Sequence, residues 1–491
     1  MKYQNPVIFS DYSDPDVIRR GNVYYMVASS FNHVPGVPVL KSENLVDWKI
    51  INYVFDKIPF PRFNDVCHGS GAWAPSIRYH NNTYYVCIPF PDEGIYVSQC
   101  DDIEKGDWSP LHCLIKGKGI EDPCPIWINN KCYLVVAFAK SRAGFNSVLG
   151  LYEVSTDLKE QISPTYKIIY DGHNTSPTIE GPKFYTRNGY IYIMAPAGSV
   201  KTGWQVCLRS KNIYGPYEEK IVLYQNDSPI NGPHQGALID LNNDSYAFMH
   251  FQDLGVYGRV VHLQPCTFIN DWPICGEIKD ELLPGTPFME HEYLIDIKSN
   301  YKIPSSDNFK SSKLSLMWQT PANKESDWYY LDNGLHLKCI YHSKEATKLL
   351  HLTPNLFLTK IVYKSFKIRT KCEFKLNNND EVGLTYMGSE YGYILVKKID
   401  DINHIQLKTG SFNDSEDQVL EDVIYDDDTI EFNMRFKDDF TYQLGYNNHY
   451  FKNKFIATKG KWIGGKYGIF TRSQNSSGEA IFKYFKVDKI N

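Results

Sequence analysis

Gly21-Asn22-Val23-Tyr24-Tyr25 joins a turn to an aromatic strand, and four similar stretches follow within the first 260 residues. They are Asn81-Asn82-Thr83-Tyr84-Tyr85, Asn129-Asn130-Lys131-Cys132-Tyr133, Asn188-Gly189-Tyr190-Ile191-Tyr192 and Asn243-Asp244-Ser245-Tyr246. Asn and Gly tolerate positive φ, so such pairs favour tight β-hairpin turns. Five hairpin units, spaced 48 to 60 residues apart, have the size of propeller blades and predict a five-bladed β-propeller.

A polar side chain precedes each hairpin at nearly the same position. Asp14, Asp122, Glu180 and His234 lie 11 or 12 residues before the aligned Tyr of their own repeats, and Trp73 lies close to this register in the second repeat. An Asp before Pro is by itself more often a turn residue. Because the first strand of each blade lines the central channel of a propeller, the shared register predicts one pocket that holds three carboxylates and a histidine.

Clustered carboxylates in an aromatic-rich channel are suited to glycoside hydrolysis. One carboxyl group protonates the leaving oxygen, another activates water or attacks the sugar, and a third helps to keep the acid protonated. Two-metal phosphoester hydrolysis would need more histidine ligands at this register than His234 alone. The sequence lacks GxGxxG, P-loop, HExxH and GxSxG motifs, which argues against dinucleotide enzymes, P-loop ATPases, common metalloproteases and α/β-hydrolases.

The composition narrows the class of protein. A chain of 491 residues predicts two or more domains, and a formal net charge of −5 gives no basic field for nucleic acid. The N-terminus lacks a signal-peptide pattern, and no apolar run approaches the ~18 residues of a membrane span. Eleven cysteines without CxxC spacing indicate reduced thiols. We therefore expect a cytoplasmic protein with no membrane or nucleic-acid partner, and the sequence leaves a homo-oligomer open.

The strand pattern changes after residue 300. Residues 301–312 are polar and contain Pro, as a linker does, and Phe366–Phe374 then alternate between apolar or small residues and charged ones. Ile430, Phe432, Met434 and Phe436 repeat this period of two. Half-buried strands of this kind predict a β-sandwich. The expected architecture is all-β, with a propeller over residues 1–300 and a sandwich over residues 301–491.

Several motifs together resemble glycoside hydrolase family 43, the β-xylosidases and α-L-arabinofuranosidases. They are Ser13-Asp14-Pro15-Asp16-Val17-Ile18, Ser29-Ser30-Phe31-Asn32-His33-Val34-Pro35-Gly36-Val37-Pro38, Gly71-Ala72-Trp73-Ala74-Pro75-Ser76-Ile77-Arg78-Tyr79, Ile120-Glu121-Asp122-Pro123, Ile179-Glu180-Gly181-Pro182-Lys183, Gly232-Pro233-His234-Gln235-Gly236, Tyr257-Gly258-Arg259-Val260-Val261-His262-Leu263-Gln264-Pro265 and Asp271-Trp272-Pro273. The later half resembles the concanavalin-like jelly-roll domain of many members. The resemblance implies a five-bladed propeller and an inverting mechanism.

The resemblance also implies residue roles. Asp14 is expected to be the general base, Glu180 the general acid, and Asp122 the carboxylate that orients Glu180 and tunes its pKa. His234 is the residue that in many relatives binds a central calcium or other ion, so a structural Ca²⁺ is expected here. The side chains expected to bind the sugar are Trp73, Phe31, Arg259, His33 and Arg142.

The implied activity is exo-hydrolysis of terminal non-reducing pentoses, with β-1,4-linked xylose or α-L-arabinofuranose removed from xylo- or arabinoxylo-oligosaccharides of hemicellulose. Many xylosidases of the family read Thr-Phe-Glu-Trp-Phe-Pro-Gly-Val where this chain has Ser30-Phe31-Asn32-His33-Val34-Pro35-Gly36-Val37. This departure leaves the preferred pentose open. The alternatives are an endo-arabinanase, which shares the fold, and a non-catalytic carbohydrate-binding propeller, against which the three intact carboxylates argue.

Overall fold

The computed structural model describes residues 1–242, 244–475 and 478–490 and confirms the predicted all-β class. Five four-stranded sheets follow one another along the chain, each antiparallel and each with its strands in sequence order. Asn243, part of the fifth repeat motif, lies outside the described residues. The five sheets are the blades of the predicted propeller.

The blades are built from consecutive strands. Blade one has β2 (Asp16–Arg20), β3 (Val23–Val27), β4 (Gly36–Ser42) and β5 (Lys49–Phe55). Blade two has β6 (Ser76–His80), β7 (Thr83–Phe90), β8 (Gly94–Cys100) and β9 (His112–Lys116). Blade three has β10 (Ile120–Ile128), β11 (Lys131–Phe138), β12 (Val148–Val154) and β13 (Lys167–Asp171). Blade four has β14 (Lys183–Arg187), β15 (Tyr190–Ala197), β16 (Trp204–Ser210) and β17 (Glu218–Leu223). Blade five has β18 (His234–Asn242), β19 (Ser245–Asp253), β20 (Arg259–Ile269) and β21 (Trp272–Cys275).

The repeated turn motif closes the first hairpin of blades one to four. Positive φ occurs at both turn residues of Asn81-Asn82, Asn129-Asn130 and Asn188-Gly189, as type I′ turns require. Around the axis the first strands lie side by side, β2 next to β6 and β18, and β10 next to β6 and β14. The first strand of each blade therefore faces the central channel, as the register argument expected.

Apolar side chains fill the spaces between blades. One buried cluster lies between each pair of neighbouring blades, including a cluster that joins blade five to blade one through Ala237, Met249 and Leu40. The ring is closed further by β1 (Lys2–Gln4), which pairs with β22 (Glu290–Glu292). The side chain of Asn5 also donates to the carbonyl of Leu263 in blade five. The packing fixes the angular position of each first strand, and with it each residue at the channel mouth.

The second half of the chain forms two stacked antiparallel sheets. The larger contains β23 (Tyr329–Leu331), β24 (Leu335–Lys338), β26 (Phe366–Lys375), β31 (Thr429–Phe436), β32 (Thr441–Tyr446), β33 (His449–Tyr450), β34 (Phe455–Ile456) and β36 (Glu479–Lys489). The smaller contains β25 (Leu356–Lys360), β27 (Glu381–Met387), β28 (Glu390–Ile399), β29 (Ile402–Ser411), β30 (Gln418–Tyr425) and β35 (Lys466–Arg472). Alternate residues of β26 are buried, as the period of two predicts, so the β-sandwich is confirmed.

Helices are few and short. The α-helices are α1 (Lys140–Ala143), α2 (Ser199–Thr202) and α3 (Lys344–Lys348), and the 3₁₀ turns are Pro61–Asn64, Gly255–Tyr257 and Leu350–Leu352. Within the described residues, none of the helices has the length and apolarity that a membrane span needs. All eleven cysteines are free thiols, as expected, and nine of them are buried.

The sandwich is joined to the propeller through backbone hydrogen bonds. Gln319 pairs with Leu358 of the sandwich, and the next residue, Thr320, pairs with Val34 of blade one. In addition, the N–H of Gly464 donates to Oδ2 of Asp11 at 3.0 Å. These contacts bring the loop between β34 and β35 over the channel mouth of the propeller.

Candidate active site

Three acids predicted from the repeat register meet in one pocket. Asp14 lies just before β2, Asp122 lies within β10, and Glu180 lies just before β14. All three line a pocket of about 1150 Å³, counted with the part that opens to solvent. Phe31, Trp73 and Arg259 line the same pocket. Six of the nine predicted site residues thus line one pocket, and a seventh, His234, contacts Glu180.

Asp14 is a buried carboxylate held by hydroxyl and guanidinium groups. Its Oδ2 accepts from the hydroxyls of Ser13 at 2.8 Å and Ser29 at 2.5 Å, and its Oδ1 accepts from Nη1 of Arg259 at 3.2 Å. The same Nη1 donates to the Ser13 hydroxyl at 2.8 Å. A carboxylate that is fixed this way stays oriented, and its remaining lone pairs can accept a proton from water.

Asp14 and Asp122 share an unusual backbone conformation. Their φ angles are +57° and +53°, in the left-handed region that few residues other than Gly, Asn and Asp occupy. Gly181, at φ +56°, donates its N–H to Oδ2 of Asp122 at 2.7 Å. A Cβ at Gly181 would come within 2.7 Å of the Gln235 side chain, so glycine allows this close approach. Backbone strain at equivalent positions of two blades is typical of functional sites.

Glu180 is paired with His234. The Nε2 of His234 lies 2.6 Å from Oε1 of Glu180, and His234 itself is buried. Burial of Glu180 alone would raise the pKa of this carboxyl, but the hydrogen bond from His234 and the charges of His234 and Arg259 outweigh burial and lower it. The sequence predicted a raised pKa at Glu180, the expected general acid. In the structure, the carboxyl groups with a raised pKa are instead those of Asp122 and Glu121.

The raised pKa values belong to Asp122 and to a fourth acid, Glu121. Burial, followed by the charge of Glu180, raises the pKa of Asp122 to about 7. Burial and the charges of Asp122, Glu180 and Asp14 raise the pKa of Glu121 well above its usual value. Carboxylate oxygens of Glu121, Asp122 and Glu180 all lie within 4.8 Å of one another. Like charges so close disfavour full ionisation of the trio, and this favours the protonated forms of Glu121 and Asp122.

Sequence reasoning missed Glu121 as a pocket residue, although it precedes Asp122 in the quoted motif. A β-bulge between Glu121 and Cys124 explains its position. In a regular strand, neighbouring side chains point to opposite faces, but a bulge breaks this alternation. Both Glu121 and Asp122 therefore line the pocket.

Aromatic side chains from both domains form one wall of the pocket. The ring centroid of Trp73 lies 6.4 Å from that of Phe31 and 6.2 Å from that of Trp462. Trp462 belongs to the sandwich loop between β34 and β35, is 46% exposed, and was not predicted as a site residue. Nothing in its local sequence distinguishes it, because its position depends on how the domains pack. Flat apolar rings of this kind suit a sugar face.

Arg142 contacts Trp73, one of the aromatic residues of this wall. Its guanidinium carbon lies 5.0 Å from the ring centroid of Trp73, and its Nε donates to Oδ1 of Asp92 at 3.4 Å. Arg142 is not among the residues that line the pocket. The structure therefore places it one layer away from the position expected for direct sugar binding.

His33 is also separated from the pocket. Its side chain is buried and lines a different cavity, between the propeller and the sandwich. Phe31, two residues earlier, turns towards the acids at φ +53°. The positive φ changes the direction of the chain here, and the two predicted sugar contacts consequently face different spaces.

The residues around His234 do not by themselves make a calcium site. Calcium prefers six to eight oxygen ligands, whereas Nε2 of His234 contacts Glu180 and its buried Nδ1 has no polar partner within the described part of the chain. The grouping of possible metal-binding side chains found in that part is Glu121, Asp122 and Glu180, without His234. The channel also holds the wholly buried Lys183, which donates to the carbonyl of Pro75 at 3.2 Å. A bound calcium stays a prediction, and no catalytic step is assigned to it.

Comparison with known proteins agrees with this geometry. Residues 3–273 match the model of the glycosyl hydrolases family 43, and residues 306–488 match the beta xylosidase C-terminal concanavalin A-like domain. A protein of Xylanibacter ruminicola named "Putative beta-xylosidase" is 37% identical over 376 residues, 76% of this chain and 68% of that protein. A non-reducing end alpha-L-arabinofuranosidase of Bacteroides ovatus is 28% identical over 434 residues, 82% of this chain and 75% of that protein.

The fold also matches solved structures. The xylan beta-1,4-xylosidase of Bacillus halodurans superposes with a TM-score of 0.84 at 19% identity, covering 99% of each chain. Both domains and their arrangement are therefore shared with that structure, whereas identity at this level says nothing about the substrate.

Proposed function

The chain belongs to glycoside hydrolase family 43, and we propose that it removes single terminal pentoses from the non-reducing ends of hemicellulose-derived oligosaccharides with inversion. The observation that carries this proposal is the meeting of Asp14, Asp122 and Glu180 in one aromatic-walled pocket. The pentoses are β-1,4-linked xylose, α-L-arabinofuranose, or both. Proteins named β-xylosidase and α-L-arabinofuranosidase are both among its relatives, which supports this pair of substrates.

In the proposed reaction Asp14 acts as the general base. Its carboxylate takes a proton from a water molecule as the water oxygen attacks the anomeric carbon. At the same time Glu180 gives its proton to the glycosidic oxygen, which leaves with the shortened chain. Arg259 keeps the Asp14 carboxylate oriented through its 3.2 Å contact. The reaction consumes one water and leaves Asp14 protonated and Glu180 ionised until the two groups exchange protons with solvent.

The proton on Glu180 comes from the pair that Glu180 forms with His234. With one proton between them, the pair exists as imidazolium and carboxylate or as neutral imidazole and carboxylic acid. The Glu180 side chain is 36% exposed before substrate binds. A sugar that covers the exposed part of Glu180 excludes solvent and lowers the local dielectric. This disfavours the pair of imidazolium and carboxylate and shifts the proton to Glu180.

Inversion sets a requirement on the distance between the two acids. Asp14 belongs to blade one and Glu180 to blade four, and blade five lies between them on the shorter path around the ring. Inverting enzymes need roughly 6.5–9.5 Å between the two carboxyl groups, so that a water molecule fits on the opposite side of the sugar. The proposed inversion therefore predicts a separation in this range between the Asp14 and Glu180 carboxyls.

Trp462 supports exo action over the endo-arabinanase alternative. An endo-acting enzyme needs a groove that lets the chain continue on both sides of the cleavage point. Here a loop of the sandwich places Trp462 against Trp73 at the pocket wall, which limits space on one side. A purely carbohydrate-binding propeller would need no set of buried carboxyls, whose burial is costly.

The proposal is tested with aryl β-xyloside and aryl α-L-arabinofuranoside, followed by linear xylo-oligosaccharides and arabinan. We expect release of single pentoses from aryl glycosides and from oligosaccharide ends, and NMR of the first-formed sugar should show the inverted anomer. Release of internal arabinan fragments without monosaccharide would support the endo-arabinanase. Binding of these sugars without any hydrolysis would support the non-catalytic propeller.

A further inference from the structure

A second cavity lies where the sandwich meets the propeller. His33 and His68 line it from the propeller side, and His351, Lys461 and Lys466 line it from the sandwich. The cavity has about 20 Å³ in which the centre of a water-sized sphere fits. That space is enough for a single small species of about the size of a water molecule.

The side chains around this cavity are basic in character. Five of them carry a side-chain nitrogen of His or Lys, and the described residues that line the cavity include no Asp or Glu. Lys466 is 4% exposed, and the buried Asp11 is the carboxylate whose charge acts on it. Burial lowers the pKa of Lys466, because the charged form loses its water. Asp11 also acts on a second buried lysine, Lys360, so one carboxylate faces two lysine ammonium groups and an excess of positive charge remains beside the cavity.

Two imidazole nitrogens at the cavity also lack partners. Nδ1 of His33 and Nε2 of His351 are buried and form no hydrogen bond within residues 1–242, 244–475 and 478–490. The other ring nitrogen of His351 lies 3.2 Å from Nε2 of His68, which is stacked on Phe412 at 4.0 Å. Buried polar groups without partners are costly and are normally satisfied by a bound species.

We propose that this cavity binds one small inorganic anion of the size of chloride. The ammonium of Lys466 supplies the charge, and ring N–H groups of His33 and His351 supply hydrogen bonds. A water molecule would satisfy the ring nitrogens but would leave the excess charge of Lys360 and Lys466 over Asp11 unbalanced. A metal cation would be repelled by Lys466, and the three histidines are not among the groupings able to hold a metal within the described chain.

The anion site would act on the junction of the two domains. Gly460, Lys461, Ile463 and Lys466 line the cavity, and Trp462 in the same segment faces the sugar pocket. On the propeller side, the carbonyl of Gly69 lines the same region and accepts from Nε1 of Trp73 at 3.1 Å. An anion that binds both domains would stabilise the folded protein by mass action, since the unfolded chain has no such site.

Bromide is the probe for this site, because it replaces chloride and scatters anomalously. Crystals of the full chain grown in sodium bromide should show an anomalous peak within hydrogen-bond distance of Nζ of Lys466. In solution, the melting temperature should rise saturably with sodium chloride or sodium bromide. Sodium gluconate at equal ionic strength should not give this rise, because gluconate is too large for the cavity.

Lys466→Met should abolish the halide-dependent rise, whereas Lys452→Met, which removes an exposed lysine of the same domain, should keep it. If Lys466→Met fails to fold, the anomalous bromide peak in crystals of the wild-type protein tests the proposal. No bromide peak in the cavity would overturn the proposal. So would equal melting shifts in halide and gluconate, or a halide shift that Lys466→Met retains. A peak seen only at crystal concentrations of bromide, without a melting shift in solution, would mean an adventitious ion only and would also reject it.

Discussion

Nε2 of His234 lies 2.6 Å from Oε1 of Glu180, and this contact joins the first strand of blade five to the carboxyl before the first strand of blade four. The contact lowers the pKa of Glu180 against the effect of burial. The proposed catalytic acid is therefore one member of a hydrogen-bonded pair. The residue expected from sequence to bind an ion contacts the proposed acid directly.

His234→Gln tests this pairing. Glutamine can still donate a hydrogen bond to Glu180, but it cannot supply a proton to it. We expect kcat/KM on an oligosaccharide to fall about 10²-fold or more at neutral pH, the lower range for loss of general-acid assistance. The alkaline limb of the pH profile should move to higher pH, because the loss of the His234 charge removes an effect that lowers the pKa of Glu180. An unchanged profile would show that His234 does not participate in proton supply.

Glu121→Gln tests the charge state of the fourth acid. Burial and its acidic neighbours raise the pKa of Glu121 well above its usual value, which favours the neutral form of the native residue. Gln has the same shape and is neutral, so kcat/KM at pH 6–7 should stay within about threefold of the wild type. Glu121→Ala, which also empties the space, is the contrasting variant. A loss of more than 100-fold in Glu121→Gln would mean that an ionised Glu121 is required.

Asp122→Asn tests whether the raised pKa of Asp122 lowers the stability of the folded protein. The pKa of Asp122 is raised to about 7 in the folded protein, from the usual value of 3.8 that we expect for the unfolded chain. Between these values the folded protein holds a proton that the unfolded chain has released, so this group destabilises progressively as pH rises from about 4 to 7.

The Asp122→Asn variant has no titrating group at this position, so it lacks the destabilisation that develops as pH rises. Its side-chain oxygen can still accept a hydrogen bond from the N–H of Gly181. The melting temperature of Asp122→Asn relative to wild type should therefore increase from pH 4 to pH 7.5 and stay constant above, although activity falls. Thermal unfolding at several pH values measures the difference. A difference that shrinks as pH rises would contradict the raised pKa.

Trp462→Ala tests the contribution of the sandwich to the pocket. Because Trp462 contacts Trp73 and is partly exposed, its loss should raise KM for oligosaccharides about tenfold with a smaller change in kcat, and the melting temperature should change little. Tyr330→Ala removes an exposed aromatic of the same domain outside the pocket and should leave KM unchanged. Equal effects of the two variants would show that Trp462 is not a sugar contact.

Most of the fold was predictable because it repeats. Turn pairs such as Asn81-Asn82 gave the blades, and the shared register of Asp14, Asp122 and Glu180 gave the pocket, since equivalent strands of a propeller converge. Local pattern could not locate Trp462, which reaches the pocket only through domain packing. It also could not locate Glu121 and His33 correctly, because a β-bulge and a positive φ at Phe31 redirect neighbouring side chains.

The most direct test of the proposed acid and base uses substrates with different leaving groups. Glu180→Gln should lose about 10³-fold or more of kcat/KM on xylobiose or the matching arabino-oligosaccharide. It should keep most of its activity on the dinitrophenyl pentoside, whose leaving group needs no proton. Asp14→Asn, which retains the tolerance for positive φ, should lose both activities while circular dichroism shows a folded protein. Equal losses of Glu180→Gln on both substrates, or near-full activity of either variant, would contradict the assigned roles.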